Sequence, residues 1–320
     1  MTAIAVAFGV ALALGVLARR EGVRVDALHG VDGGPAVPWL GGAAVAGGLV
    51  AGLAVEGWPL PPVATAVICG TFALGLTGDV RRVPATLRLT VWCGLGVALA
   101  ACGLAADALP GTVLQWMGAA ALFAIALSCV DTVGGTDGLA GGTGAFTALG
   151  VAAIAARAGL DGPMVLALVT AGALGGFLVH NLPPAHLVLG HNGADLVAAA
   201  LAVVVLAEAG TAAGLVGATT CFGVFLVDLL LVGLRRTVGG EGVADAHRRG
   251  HLAAQLRDGG LSQGRTLAAC WIVHVAFIVV GVRAAESTAA VAVATVSSAW
   301  IVALAWLFWS GLVRRTEARR

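Results

Sequence analysis

The sequence predicts an all-α, polytopic membrane protein of ten to eleven transmembrane helices, about eleven being the count its apolar windows support. Three observations carry this expectation. Of the 320 residues, 59% are hydrophobic and only 11% are charged, against roughly 25% charged in a soluble domain. So small a charged fraction cannot cover a water-facing surface. The apolar runs are near ~20 residues, as spanning helices need, and are not the ~10-residue alternating strands of a barrel. Finally, the eighteen basic residues are all Arg and gather in alternate loops, which is how membrane proteins mark their inner face.

The windows run 2–18, 40–55, 62–77, 88–105, 113–130, 142–157, 163–181, 194–208, 211–234, 264–282 and 288–312. The first lacks a basic leader and is followed at once by further apolar segments, so it reads as a helix of the mature protein and not as a signal peptide. The window 194–208 is short for a full span, which makes it a short, shielded helix and the count ten to eleven. The window 211–234 reads as one helix. With no internal repeat and no low-complexity linker, residues 1–320 read as a single integral membrane domain.

Placing the N-terminus outside and the C-terminus in the cytoplasm puts sixteen of the eighteen arginines inside, leaving Arg157 and Arg283 outside. The loops 19–39, 78–88, 131–141, 181–194 and 235–263 then share the cytoplasmic face of the cell membrane. Net charge is +1, which implies no nucleic-acid-binding surface. The six cysteines lie in or beside apolar segments without a CxxC pair, so neither a disulfide framework nor a zinc site is expected.

Those cytoplasmic loops hold the candidate chemistry. Asp79, Arg81 and Arg82 sit at headgroup level after the third window. They read either as an interfacial cluster that sets topology or as a phosphate site, since guanidinium pairs well with phosphate oxygens. Asp131 and Asp137 flank a glycine-rich loop, where carboxylates can approach a phosphate-bound cation while backbone N–H groups contact phosphate. If a helix starts near His191, then His191 and Asp195 lie one turn apart on one face and can share a ligand or metal. Asp228 interrupts an apolar helix, a position where a charge is either functional or paired with an Arg. A transporter would share that last feature, but no inverted repeat accompanies it. The longest polar stretch, 235–265, holds Asp245, His247, His251 and Asp258.

Taken in order, these segments resemble one family: the phospho-N-acetylmuramoyl-pentapeptide transferase and the polyprenyl-phosphate N-acetylhexosamine-1-phosphate transferases (glycosyltransferase family 4). Arg24 through His29 to Pro38-Trp39-Leu40-Gly41-Gly42 is similar to the family's first cytoplasmic loop. Gly78-Asp79 stands at its Asp-Asp pair, and Asp131 to Gly142 at its Asp-Gly-x-Asp-Gly-Leu-Ala-Gly loop. Asn181-Leu182-Pro183-Pro184-Ala185 with Leu189-Gly190-His191 is similar to its Asn-x-x-Pro-Ala … Met-Gly-Asp segment. Asp228, then His251-Leu252-Ala253-Ala254-Gln255-Leu256 with Gly260-Leu261-Ser262, match its ninth-helix Asp and its histidine loop.

The resemblance implies transfer of a sugar-1-phosphate from a UDP-N-acetylhexosamine to a polyprenyl phosphate in cell-wall synthesis. The lipid phosphate attacks the sugar-linked phosphorus and uridine monophosphate leaves. It implies Asp79, Asp137 and His251 as catalytic residues and Asn181, Arg81, Arg82 and Asp228 as substrate-binding residues. Asp131, Asp137, His191 and Asp195 become ligands for Mg2+, with Mn2+ as the substitute ion. Its partners would be the lipid, the UDP-sugar and the membrane, with a homo-oligomer compatible.

The chain departs from the family where the chemistry lies. Gly78, Gly134 and His191 stand at family Asp positions, Asp131 at an Asn, Ala253 and Ala254 at histidines, and Trp39 at an Arg. Magnesium demands hard oxygen ligands, and imidazole suits softer metals. The second expectation is therefore a catalytically inactive paralogue, its metal binding weakened or lost, that binds polyprenyl phosphate or a partner enzyme.

Overall fold

The computed structural model describes residues 1–26, 39–81, 83–133, 136–238 and 251–288, with residues 291, 293, 296, 297 and 300. Twelve helices are described, with no strand among them: α1 (Thr2–Asp26), α2 (Gly41–Val55), α3 (Pro62–Val80), α4 (Ala85–Ala101), α5 (Thr112–Thr132), α6 (Leu139–Arg157), α7 (Asp161–Asn181), α8 (Gly190–Glu208), α9 (Ala212–Thr220), α10 (Gly223–Val238), α11 (Leu252–Asp258) and α12 (Gln263–Ala285). Seven are long and apolar enough to cross a membrane: α1, α3, α5, α6, α7, α8 and α12. The apolar α2 and α4 are shorter, at 15 and 17 residues. This is an all-α, multi-pass membrane protein. The last window, 288–312, falls mostly outside the described residues.

Each helix buries one stripe and turns the other to lipid. On α1 the buried residues are Ala3, Ala7, Ala11 and Gly15, four apart, while Phe8, Val16 and Leu17 are exposed. That spacing puts small residues on one face, where helix backbones can approach closely in a bilayer. Val50, Leu76, Leu114, Met117, Ile125, Ile272 and Val279 likewise point outward. In water such a surface would be a liability; in lipid it is the solvated face.

The exception is α8, apolar all round and therefore central. It packs against α2, α3, α5, α6, α7 and α9. The window expected to be short is thus a full 19-residue helix, because Gly190, His191 and Asn192 form its first turn. Close approach at that turn is set by glycine. A Cβ on Gly75 of α3 would stand 2.6 Å from the His191 carbonyl oxygen, and one on Gly42 of α2 would overlap Asn192 and Gly193.

The window 211–234 is not one helix. It breaks at Cys221 and Phe222 into α9 and α10, bent by 72°. Backbone groups freed at a break in a membrane must be satisfied by protein. Here the Val224 N–H donates to His274 Nδ1 (3.3 Å), so the other ring nitrogen carries the proton and donates to Thr147 Oγ1 (2.9 Å). The Thr147 hydroxyl in turn donates toward the Cys221 carbonyl (3.1 Å). His274 and Thr147 are fully buried. Apolar periodicity carries no sign of this relay from α6 and α12, so the sequence reading missed the break.

Candidate functional site

One end of the bundle, where α3, α5 and α7 finish and α6, α8 and α12 begin, encloses a cavity of about 500 Å³. Its lining includes Asp79, Asp131, Asp137, Asn181, His191, Asp228, His251 and Arg257. Seven of these eight were singled out from sequence. They come from loops spread over more than half the chain, and alternating helices bring them to one level.

The first wall is built on α4, α5 and α8. Asp131, in the last turn of α5, accepts from Arg88 Nη1 at 3.1 Å and meets His191 Nδ1 at 2.5 Å. Arg88, in the first turn of α4, also donates through Nη2 to Asp195 at 3.0 Å. Arg88 Nη1 lies 3.4 Å from His191 Nδ1. His191 and Asp195 lie one turn apart on α8; Arg88 donates to Asp195, and His191 Nδ1 meets Asp131, the other acid on the same guanidinium. Asp79 projects from the end of α3 to the first turn of α8, where its carboxylate accepts from the N–H groups of His191 (2.8 Å) and Asn192 (2.9 Å). A carboxylate there satisfies orphan donors and complements the positive helix terminus.

The second wall is built on α10 and α11. Asp228, 2% exposed, accepts from the Leu252 N–H (2.7 Å) and meets His251 Nδ1 (2.7 Å). The carboxylate thus orients the imidazole and caps the N-terminus of α11. Among the described residues the apolar-helix acid pairs with a histidine. Arg257, one helical turn and a half beyond His251, reaches toward Thr136 Oγ1 (3.5 Å) and lines the cavity.

The floor is a stitched pair of loops. Asn181 accepts from the Gly138 N–H (3.0 Å) and donates to the Leu187 carbonyl (2.8 Å). Gly138 precedes α6 with φ 75°, a conformation glycine adopts without strain. Asp137 Oδ2 accepts from the Ala185 N–H (3.1 Å) and from Gln263 Nε2 (2.9 Å).

Among the described residues no group of three His, Cys, Asp or Glu side chains is disposed to hold a metal ion. The four residues expected as ligands divide between two places. Asp131, His191 and Asp195 converge through Arg88, whereas Asp137 is held separately by Ala185 and Gln263. This donor set fits magnesium poorly, because the oxygens facing one another are already joined by a cation and an imidazole. Arg81 is exposed at the end of α3, outside the cavity lining. Arg82, Gly134, Asp245 and His247 lie outside the described residues.

Sequence reasoning passed over Arg88, Arg257 and Gln263. Arg88 opens an apolar helix, where a long cationic side chain ordinarily snorkels to the interface and marks topology, so its sequence position gives no sign of a buried partner.

Residues 62–209 match the model of glycosyl transferase family 4. That segment runs from α3 to the end of α8 and contains the whole first wall. The chain aligns at 36% identity over 268 residues, 78% of its length, with the Streptomyces coelicolor protein named "Putative glycosyltransferase SCO3672", of which it spans 61%. It aligns at 24% identity over 259 residues, 75% of its length, with the Bacillus subtilis (strain 168) protein named "Probable undecaprenyl-phosphate N-acetylglucosaminyl 1-phosphate transferase", of which it spans 71%.

Proposed function

We propose that this chain, similar over residues 62–209 to glycosyl transferase family 4, is a member of that family that moves a sugar-1-phosphate from a UDP-N-acetylhexosamine to a polyprenyl phosphate. An oxygen of the lipid phosphate attacks the sugar-linked phosphorus. The bond to the bridging oxygen of the nucleotide breaks, uridine monophosphate leaves, and a lipid-diphosphate sugar remains.

The observation that supports this most is the convergence of Asp137, Asn181, His251 and Arg257 on one cavity at the helix ends, the depth at which a lipid phosphate lies. Phosphoryl transfer asks for positioning and charge stabilisation more than for covalent chemistry. Arg257 supplies guanidinium donors matched to phosphate oxygens. His251, held by Asp228, contacts the transferring phosphates. Asp137 and Asn181 hold the loops that shape the floor. Asp79 keeps the first turn of α8 in place. The arginine distribution supports a cytoplasmic cavity in the plasma membrane, facing the soluble donor.

The test is release of uridine monophosphate by the purified protein in the presence of polyprenyl phosphate and a panel of UDP-N-acetylhexosamines. Turnover that His251→Ala and Arg257→Ala each abolish is expected. If the protein binds the lipid phosphate but turns over no donor, the transferase reading falls and the inactive-paralogue reading replaces it.

A further inference from the structure

We infer that Arg88 is the resident cation of the first wall: its guanidinium fills the space between Asp131, Asp195 and His191 that a divalent ion would need, so these carboxylates bind no metal. The geometry carries this. Arg88 spends Nη1 on Asp131 and Nη2 on Asp195, at 3.1 and 3.0 Å. Its guanidinium carbon lies 4.6 Å from the centroid of the Trp92 ring, a cation–π contact made on the same helix. Arg88 is only 8% exposed, Trp92 5%, and Asp195 is fully buried. A group held on three sides and shut away from water cannot swing aside to admit a hydrated ion, and magnesium sheds its waters reluctantly.

The neighbouring Asp79 carboxylate is spent on the N–H groups of His191 and Asn192. A Cβ on Gly78 would stand 3.8 Å from the His191 side chain, so positions 78 and 191 face each other beside Asp131. One carries no side chain and the other carries a nitrogen ligand. The guanidinium offsets one of the two carboxylate charges, and the His191 imidazole lies against the other at Asp131. Among the described residues, Arg88 Nε and Asp195 Oδ2 are buried without a hydrogen-bond partner, so the fit is electrostatic and not fully hydrogen-bonded. An Arg stays protonated under all physiological conditions. The charge is therefore permanent, whatever ions the solution holds. Arg88 lies behind Asp131 and His191 and acts through them; it is a positioning residue. The inference rests on the transferase reading only for its consequence for turnover, since ion occupancy is measurable without turnover.

The experiment is Mn2+ titration of the purified full chain, read as loss of the free-ion signal in electron paramagnetic resonance. Wild type is expected to leave the signal unchanged at ion concentrations up to the millimolar range. Arg88→Met removes the charge and keeps the bulk. It is expected to take up one Mn2+ at least about tenfold more tightly than wild type, and a further Asp131→Asn change is expected to abolish that uptake. If Arg88→Met is not recovered folded, Arg88→Gln carries the same expectation. Wild-type uptake of one Mn2+ that Asp131→Asn removes would overturn the assignment. So would folded Arg88 variants that gain no binding. A wild type that binds no Mn2+ and turns over no donor leaves the Arg88 assignment standing and removes the transferase reading alone.

Discussion

On the α4–α5–α8 side of the cavity two carboxylates share one buried guanidinium, whereas on the α10–α11 side one carboxylate holds one imidazole. Both arrangements satisfy acids that the membrane would otherwise penalise. They differ in what they leave for a ligand. In the first, the guanidinium is enclosed by two acids and an indole. In the second, His251 and Arg257 line the cavity together with the acid that holds the imidazole. The first wall reads as a strut and the second as a working surface, though both were assembled from equally polar loops.

The largest effect should come from breaking the strut. Removing one partner of a buried ion pair leaves the other uncompensated, at about 3–5 kcal/mol. Arg88→Met should therefore lower the unfolding free energy of the protein in mixed micelles by about that amount, measured by denaturant titration. A loss below about 1 kcal/mol would mean the pairs at Asp131 and Asp195 are water-exposed contacts of little weight.

The second wall should respond in activity and not in stability. Asp228→Asn keeps a side chain able to cap α11 but takes the charge from behind His251. Release of uridine monophosphate should fall about 10²-fold, near 2.7 kcal/mol in barrier, with unfolding unchanged within about 0.5 kcal/mol. Equal losses in both measurements would make this wall a strut as well.

A smaller effect probes how the first wall is held in register. Gly75→Ala would force a methyl against the His191 carbonyl, and overpacking of this kind costs about 1–3 kcal/mol. Turnover should fall alongside, because the first turn of α8 carries His191 and the next turn carries Asp195.

The smallest effect separates capping from catalysis at Asp79. If its work is to accept the two N–H groups of α8, Asp79→Ala should cost about 1 kcal/mol and Asp79→Asn only a few tenths, with turnover following stability. A complete loss of turnover in a stable Asp79→Asn variant would return Asp79 to the reacting groups.

Several of these residues were legible in the sequence. The acids at 79, 131, 137 and 228 and the histidines at 191 and 251 stand out, because charge in an apolar chain is conspicuous and expensive. Their meeting at one end follows from alternation of the helices. Their partners were not legible. Arg88 lies 43 residues from Asp131 and 107 from Asp195, and nothing local distinguishes it from an arginine that marks topology. The Asp79 carboxylate reads as a ligand for phosphate or metal until α8 is seen to begin beneath it.

Composition and window length alone determined that this chain is helical, multi-pass and covered by lipid, since a bilayer allows few other ways to satisfy a backbone. Only the tertiary structure decided which charges neutralise which, that the window 211–234 breaks at Cys221 under a relay from Thr147 and His274, and that α8 is the buried centre. The physical reason is the same in each case. Transfer of a residue out of water is a property of that residue and adds along the chain, whereas an ion pair or a backbone rescue is a property of two groups. Their separation in space is set by packing and not by their separation in sequence.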